Sequence, residues 1–416
     1  MPQKGEKLFS CFIDFSKAFD SIPRDILLRK LLACGITGNF FNILKNVYTS
    51  DKCKVKAGNN LSETFKINKG VRQGCILSPL LFNIFLSDLP KTLSNDQYEN
   101  PKIDNDREIS CLLWADDVVI LSKSEDGLQR MLAKLSKYSK EKGIKINIDK
   151  TKCIVFNKTG KYIRRNFKFD NENIKTVREY KYLGFLITPS GEVMTGLKDL
   201  KSRTMFAITQ LRSKMGEYFN RYPDTTMLLF DALIKPIILY MSDFWGCLAM
   251  QNNNPIDIVQ NKFLKEMLGV QTQTPTYGIL LDTGQTPLTL SAQKYCIKNW
   301  ERIAIQKKCN TLLNISYINS LRENLPWPKR IKTCLSTNGL GNLFNSSSQL
   351  HVNKIYFTRV VDIFHQNTFT DNRRKNNKLR TYALIKTDVG SDKYLEKIKI
   401  SKIELCFQNV DYPTIS

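Results

Sequence analysis

The first 190 residues predict an α+β fold, and three observations carry that prediction. Short apolar runs of strand length end on turn-forming or acidic residues, as in Leu8–Asp14 (LFSCFID). Between such runs, apolar residues recur at helical spacing, as in Leu80, Leu81, Ile84, Phe85 and Leu89. After Tyr182–Thr188 the pattern changes to long helical segments separated by loops rich in Asn, Thr and Gly.

Taken in order, Leu8–Asp14 is a buried strand that ends on an acid. Ser21-Ile22-Pro23 opens a helix, with Ser21 as cap and Pro23 in its first turn, and the helix stops at Gly35. A second helix covers 38–49. Lys52–Ala57 and Leu61–Ile67 alternate around Gly58-Asn59-Asn60 as a hairpin. Ser78–Leu93 reads as one helix, and residues 94–108 as a polar loop. Ile109–Trp114 and Val118–Leu121 flank Ala115-Asp116-Asp117 as a second hairpin. Glu125–Lys142 is a helix, and Ile144–Ile148 and Lys152–Phe156 are strands. Beyond them, Leu197–Met215, Thr225–Leu239 and Pro255–Leu268 are helical. These shifts set boundaries near 190 and 300, giving regions 1–190, 191–300 and 301–416. The last is mixed and helical-leaning, with an Asn/Ser-rich stretch at 337–353 and a basic loop at Arg373–Arg380.

With 416 residues, 42% of them apolar, the chain buries a sizeable core, which excludes wholesale disorder. The formal charge is +24. Residues 1–150 carry 24 basic and 18 acidic side chains, whereas 151–416 carry 39 and 21. This excess fits a polyanion, most simply nucleic acid, or else a basic solvated surface. The 11 cysteines include no CxxC pair and the only histidines are His351 and His365, which argues against a disulfide framework and zinc-finger spacing. Cys11, Cys75, Cys111 and Cys153 sit singly in apolar runs, as buried thiols in a reducing compartment do. The polar N-terminus is no signal peptide, and Met227–Met250 is interrupted by Asp231, Lys235, Pro236 and Asp243, so no membrane span is expected.

The chemistry centres on carboxylates at strand ends. Asp14 closes one buried strand, and Asp116 and Asp117 occupy a hairpin tip. Ionised acids beside apolar strands are costly unless compensated. Clustered Asp oxygens suit hard Mg2+, and a pair of such ions serves phosphoryl transfer. An Asp-Asp hairpin tip alone is also an ordinary turn. Between the acidic sites, Gly70-Val71-Arg72-Gln73-Gly74 leads into a helix start at Ser78-Pro79. Its glycines permit close backbone approach, and its free N–H groups with Lys69 and Arg72 suit phosphate.

Five stretches in order resemble motifs A to E of reverse transcriptases: FIDFSKAFD (12–20), NKGVRQGCILSPLLFNIFLSDL (68–89), LLWADDVVILS (112–122), GIKINIDKTKCIVF (143–156) and YKYLGFLIT (180–188). The Gly-Val-Arg-Gln-Gly form and the Ala-Phe-Asp ending look like the non-LTR (LINE-type) retrotransposon branch. The similarity covers residues 7–190, and the region after 190 resembles LINE-type thumb segments more loosely. The resemblance implies a right-hand polymerase palm, an antiparallel sheet with helices behind, with partial fingers in 1–190. A thumb-like helical region in 191–300 and a basic C-terminal region follow.

It further implies RNA-directed DNA synthesis from an RNA template, a DNA primer and deoxynucleoside triphosphates, with two Mg2+ ions (Mn2+ as substitute), in the nucleus or cytoplasm. Asp14 and Asp116 look like the carboxylates that bridge the ions, and Asp117 like the accompanying acid. Phe19 falls where a bulky ring under the incoming sugar excludes a 2′-hydroxyl. Phe15–Ala18 would offer backbone N–H groups to the triphosphate. Gln73 and Gly74 would contact nucleotide and template, and Arg72 a phosphate. Lys150 matches a lysine proposed to protonate departing pyrophosphate. Tyr182, Leu183 and Gly184 look like the hairpin that grips the primer end.

Two departures stand out. The chain starts just before motif A, without the fingers and endonuclease of complete family members, as a truncated copy would. Trp114 stands where the family usually has Tyr or Phe. The alternative reading is a catalytically inactive fragment that binds nucleic acid through its basic C-terminal half, and a Mg2+ nuclease is a more distant third.

Overall fold

The computed structural model describes residues 6–94, 100–104, 107–249, 254–305 and 311–344, together with 355, 356, 358–360 and 363. The histidines, the Arg373–Arg380 loop and the later part of the 337–353 stretch lie outside the described residues. The chain divides into two compact units, Met1–Glu192 and Val193–Ser416.

Unit 1 is α+β. A six-stranded sheet runs in the order Cys111–Trp114, Asp117–Ser122, Lys7–Ile13, Lys152–Asn157, Glu172–Thr176, Asn166–Phe169. Each neighbouring pair is antiparallel except Lys152–Asn157 with Glu172–Thr176, which is parallel. The earliest strand is thus central, paired on one side with Asp117–Ser122 and on the other with Lys152–Asn157. Alternation along each strand separates two faces. One face, with Phe9, Cys11, Ile13, Ile120, Cys153, Val155 and Ile174, joins the main core, where helix residues such as Leu27, Phe82, Phe85, Leu128 and Leu135 pack. The other presents Phe12, Val119 and Ile154 to a smaller cluster with Tyr180, Tyr182 and Ile187.

Helix Glu125–Lys142 has the bounds its sequence predicts, because both ends carry chemical stops. The Ser124 hydroxyl accepts from the Gly127 N–H, and Gly143 takes the left-handed conformation at the C-terminus. Helix Gly38–Thr49 likewise forms where expected.

Other expectations need correction. Ser21 is no cap for the following helix: it ends the short helix Ala18–Ser21 with its hydroxyl on the Ala18 carbonyl, and the next helix, Arg24–Ala33, begins after Pro23. Ser78–Leu93 is two helices, Ser78–Phe85 and Leu89–Leu93, the second restarting at Leu89-Pro90 because proline suits a first turn. Residues 144–148 form no strand; Ile146 alone bridges Phe15. The 52–67 hairpin reduces to two exposed ladders of two-residue strands. The hairpin of Asn166–Phe169 with Glu172–Thr176 was not expected from sequence.

A half-buried polar clamp ties the helices behind the sheet. Asp88 accepts from Lys30 and from the Tyr138 hydroxyl at 2.6 Å, and pairs with Lys142 at 2.9 Å. Burial alone would raise the Asp88 carboxyl, but these three donors outweigh it and lower it to about 2.

In unit 2 the described residues form helices, among them Val193–Met215, Pro223–Leu229, Lys235–Ile238, Pro255–Met267, Leu288–Ile305, Leu312–Arg322 and Pro326–Thr337, with a π-helical turn at Phe230–Ile234. Helix Leu288–Ile305 runs straight through residue 300, where the second boundary was set. Its Trp300 shares one cluster with Tyr317, Ile331 and Leu335. Phe219 and Trp245 are core residues, whereas Tyr218 and Tyr222 are exposed and stacked on each other. No described helix is long and apolar enough to cross a membrane. Cys11 and Cys153 are fully buried and face each other in register, Cys75 and Cys111 are half-buried, and the described cysteines are unpaired.

The Asp88 clamp predicts acid sensitivity. A carboxyl depressed from its ordinary value of about 3.9 contributes fully above that pH and loses its contribution as pH falls toward about 2. In thermal melts followed by circular dichroism, the stability gap between wild type and Asp88→Asn is expected to be widest above pH 5 and to narrow steadily below pH 4. A gap independent of pH would remove the clamp's assigned role.

Candidate active site

Strand register builds the site. Ile13 pairs with Val118, so Asp14, one residue on, lies beside Asp117, one residue back. Trp114 pairs with Asp117 across a two-residue tip, Ala115-Asp116, which turns with Ala115 in the left-handed conformation (φ 52°). Asp14, Asp117 and Trp114 therefore share the sheet face that carries Phe12 and Val119. Asp14 and Asp117 are half-buried and Asp116 is exposed.

The three acids feel one another. The Asp117 carboxyl is raised, first by burial and then by the negative charges of Asp116 and Asp14. No Lys or Arg among the described residues pairs with any of the three. Crowded carboxylates without a countercharge are the donor set a hard divalent cation fits. As the side chains stand, no group of three His, Cys, Asp or Glu residues among those described closes into a metal cage. Mg2+ does not require one, since it commonly takes one or two carboxylates and completes its shell from substrate phosphates and water.

Asp14 is held from below. Its backbone N–H donates to the buried Thr151 hydroxyl at 3.2 Å, and its carbonyl accepts from the Asn147 N–H at 2.8 Å. The 147–151 turn that supplies both contacts also carries Lys150, an exposed side chain with no ion-pair partner among the described residues. The structure thus brings Lys150 to the turn that positions Asp14.

The stretch after Asp14 departs in part from expectation. Phe15 packs its ring edge-on against Phe82 in the core. The Ser16 N–H is already spent on the Lys145 carbonyl at 2.8 Å, so the 15–18 backbone has fewer free donors than the sequence suggests. Phe19 is half-buried, its ring 5.1 Å from that of Phe82.

The glycine loop is fastened directly to this segment. The Gly70 N–H donates to the Ile22 carbonyl and the Val71 N–H to the Phe19 carbonyl, both at 2.8 Å. Gly70 sits at φ 84°, and a Cβ there would lie 2.8 Å from the Asp20 backbone. Gln73 donates its amide to the Asp20 carboxylate at 2.9 Å, and Gly74 borders open space. Arg72 is less free than its sequence position suggests. It pairs with Asp51 at 2.9 Å, as does the buried Arg24 at 2.8 Å. Burial opposes charge on Asp51, but the two guanidinium groups prevail and lower its carboxyl.

Tyr182-Leu183-Gly184 form the turn of a hairpin between Tyr180–Tyr182 and Phe185–Ile187, with positive φ at Leu183 and Gly184. Tyr180 stacks on Phe12 at 4.5 Å. The Tyr180 hydroxyl is raised by burial and then by Asp117 and Asp14, and that of Tyr182 by burial and then by Asp117. The hairpin therefore lies within the electrostatic field of the carboxylates.

Strand-end acids on a largely antiparallel sheet thus lie near a glycine loop and a tyrosine hairpin. Residues 1–187 match the family model described as reverse transcriptase (RNA-dependent DNA polymerase). The RNA-directed DNA polymerase from mobile element jockey of Drosophila funebris is 25% identical over 288 residues, 67% of this chain and 30% of that protein. The Pol polyprotein from type-2 retrotransposable element R2DM of Drosophila melanogaster is 31% identical over 198 residues, 44% of this chain and 18% of that protein. The chain thus spans less than a third of the length of these curated relatives. Both names agree with the retrotransposon branch that the motifs resemble. Among solved structures, a telomerase from Candida tropicalis in complex with a telomeric RNA fragment is 14% identical, with a TM-score of 0.35 over 86% of this chain and 49% of that one.

The contact at Gly70 predicts a graded effect. Gly70→Ala combines a left-handed backbone with a steric overlap and is expected to cost on the order of 2–3 kcal/mol. Gly74→Ala meets only the backbone penalty, about 1 kcal/mol. Urea unfolding midpoints measure both, and equal losses would show that the Gly70–Asp20 approach is not a constraint.

Proposed function

We propose that the N-terminal domain is an RNA-directed DNA polymerase of a non-LTR retrotransposon, extending a DNA primer on an RNA template. The observation that supports this most directly is the register that sets Asp14 beside Asp117 with no Lys or Arg among the described residues paired to them. Asp14 and Asp116 would hold Mg2+, or Mn2+ in its place, with Asp117 accompanying. Bound there, the ions would activate the primer hydroxyl and neutralise charge developing on the triphosphate.

The chain's own residues position the partners. The primer 3′-hydroxyl gives up its proton to water, its oxygen attacks the α-phosphorus, the bond to the bridging oxygen breaks, and pyrophosphate leaves. Lys150, on the turn that holds Asp14, gives a proton to that leaving group. Phe19, braced on Phe82, sits under the sugar and crowds out a 2′-hydroxyl. Phe15 contributes backbone to the triphosphate. Gln73, fixed by Asp20, and Gly74 border the nucleotide and template, and the exposed edge of Arg72 meets a phosphate. The Tyr182-Leu183-Gly184 turn holds the primer end. An RNA partner is supported by the family match, and the unpaired cysteines among the described residues suit the nucleus or cytoplasm.

Primer extension on poly(rA)/oligo(dT) with Mg2+ tests this reading. Asp14→Asn and Asp116→Asn are each expected to lower extension by about a hundredfold or more while retaining binding. Phe19→Ala is expected to raise ribonucleotide incorporation relative to deoxynucleotide. Binding of the hybrid without extension would favour the inactive, binding-only alternative.

A further inference from the structure

The sheet face that carries the carboxylates changes sign within two strands. Phe12, on the Asp14 strand, pairs with Lys152, and Lys152 pairs with Lys175 in the parallel ladder. Partners in register point to the same face. Ile154, two residues from Lys152, belongs to the cluster with Phe12, whereas Ile174 belongs to the core on the opposite side. Both lysines therefore lie on the Asp14 face. At about 4.8 Å per strand, they stand roughly 5 and 10 Å to one side of the strand that ends in Asp14.

Like charges on directly paired residues oppose sheet formation. Some other cations around this sheet have partners. Lys140 pairs with Asp170 at 2.9 Å, Arg165 pairs with Glu125 at 2.6 Å, and Arg178 lies over the Tyr162 ring at 5.3 Å. Lys152 and Lys175 have no acidic partner among the described residues. The Lys152 ammonium donates to the Asp149 carbonyl, and Lys175 is exposed opposite Asn166.

We infer that Lys152 and Lys175 form a phosphate-binding step for the sugar–phosphate backbone of the nucleic-acid strand whose 3′ end lies at Asp14, within a few nucleotides of that end. The inference rests on the polymerase reading for the strand's polarity, and on register and charge alone for the phosphate site. Two uncompensated ammonium groups beside a carboxylate cluster provide what a polyanion needs there: attraction for the backbone next to a site that holds only its reacting end.

The test is binding of a fluorescent RNA–DNA primer–template to the full chain, by anisotropy, over a range of salt concentrations. Lys175→Gln is expected to weaken binding and to lower the slope of log Kd against log salt by about one, and Lys152→Gln/Lys175→Gln by about two. Lys140→Gln, which removes one charge from an existing ion pair, is the control and should leave the slope unchanged. Thermal melts establish that each variant is folded, and exposed Lys175 alone suffices if the double variant is not. An unchanged slope in folded Lys175→Gln, or the same loss in Lys140→Gln, would overturn the site. A parallel titration with a fluorescent deoxynucleoside triphosphate separates the phosphate sources. Weakened nucleotide binding with duplex binding intact would overturn the backbone assignment. Because binding requires no turnover, a lysine-dependent slope in a chain that never extends a primer would support the phosphate step and defeat the polymerase reading.

Discussion

One pairing governs the N-terminal unit: the antiparallel register of Lys7–Ile13 with Asp117–Ser122. It sets Asp14 and Asp117 side by side, with the 147–151 turn bracing Asp14. It also fixes which residues share their face, because side chains alternate strictly along a strand. A one-residue slip would send Asp14 toward the apolar core with Cys11 and Ile13 and would bring Phe12 out of its stack with Tyr180. Burial of both faces excludes that slip. The acids are therefore held near one another by hydrophobic packing, and the electrostatic cost of their proximity is carried by the core.

Around that pairing, the other site elements attach through backbone hydrogen bonds. The 147–151 turn grips Asp14 from one side, and the glycine loop is fastened to Phe19 and Ile22 from the other. Phe19, Gln73 and Lys150 come from three distant parts of the chain, yet each is tied to the segment that begins at Asp14. Main-chain groups take part in the ties of Phe19 and Lys150, whereas Gln73 is held through its side-chain amide.

Much of this was legible in the residues. Helix Glu125–Lys142 announced both ends, through a Ser cap and a terminal glycine. The strands leading to Asp14 and away from Asp117 were legible because both are short apolar runs beside turn residues. What stayed hidden was tertiary. Ser21 has cap chemistry but spends its hydroxyl on Ala18. Residues 144–148 alternate like a strand, yet the Asn147–Lys150 turn bends them around Asp14 so that Ile146 alone pairs. Arg72 gave no sign that Asp51 would claim it, since that pairing spans 21 residues. The 166–176 hairpin carried a signal that the sequence reading passed over: Asn166-Phe167-Lys168-Phe169 alternates before the turn residues Asp170-Asn171, and Phe167, Phe169 and Ile174 enter the core.

The central place of the Lys7–Ile13 strand also bears on synthesis. Its Ser10 hydroxyl bonds to the Ile154 carbonyl, 144 residues further on. Of this sheet's strands it is synthesised first, and it therefore has an unpaired edge until almost the whole unit has been translated. At about 5–20 residues per second, that wait is on the order of ten seconds. During it, an apolar segment with open backbone donors and acceptors depends on chaperones, or on transient non-native cover, to escape aggregation.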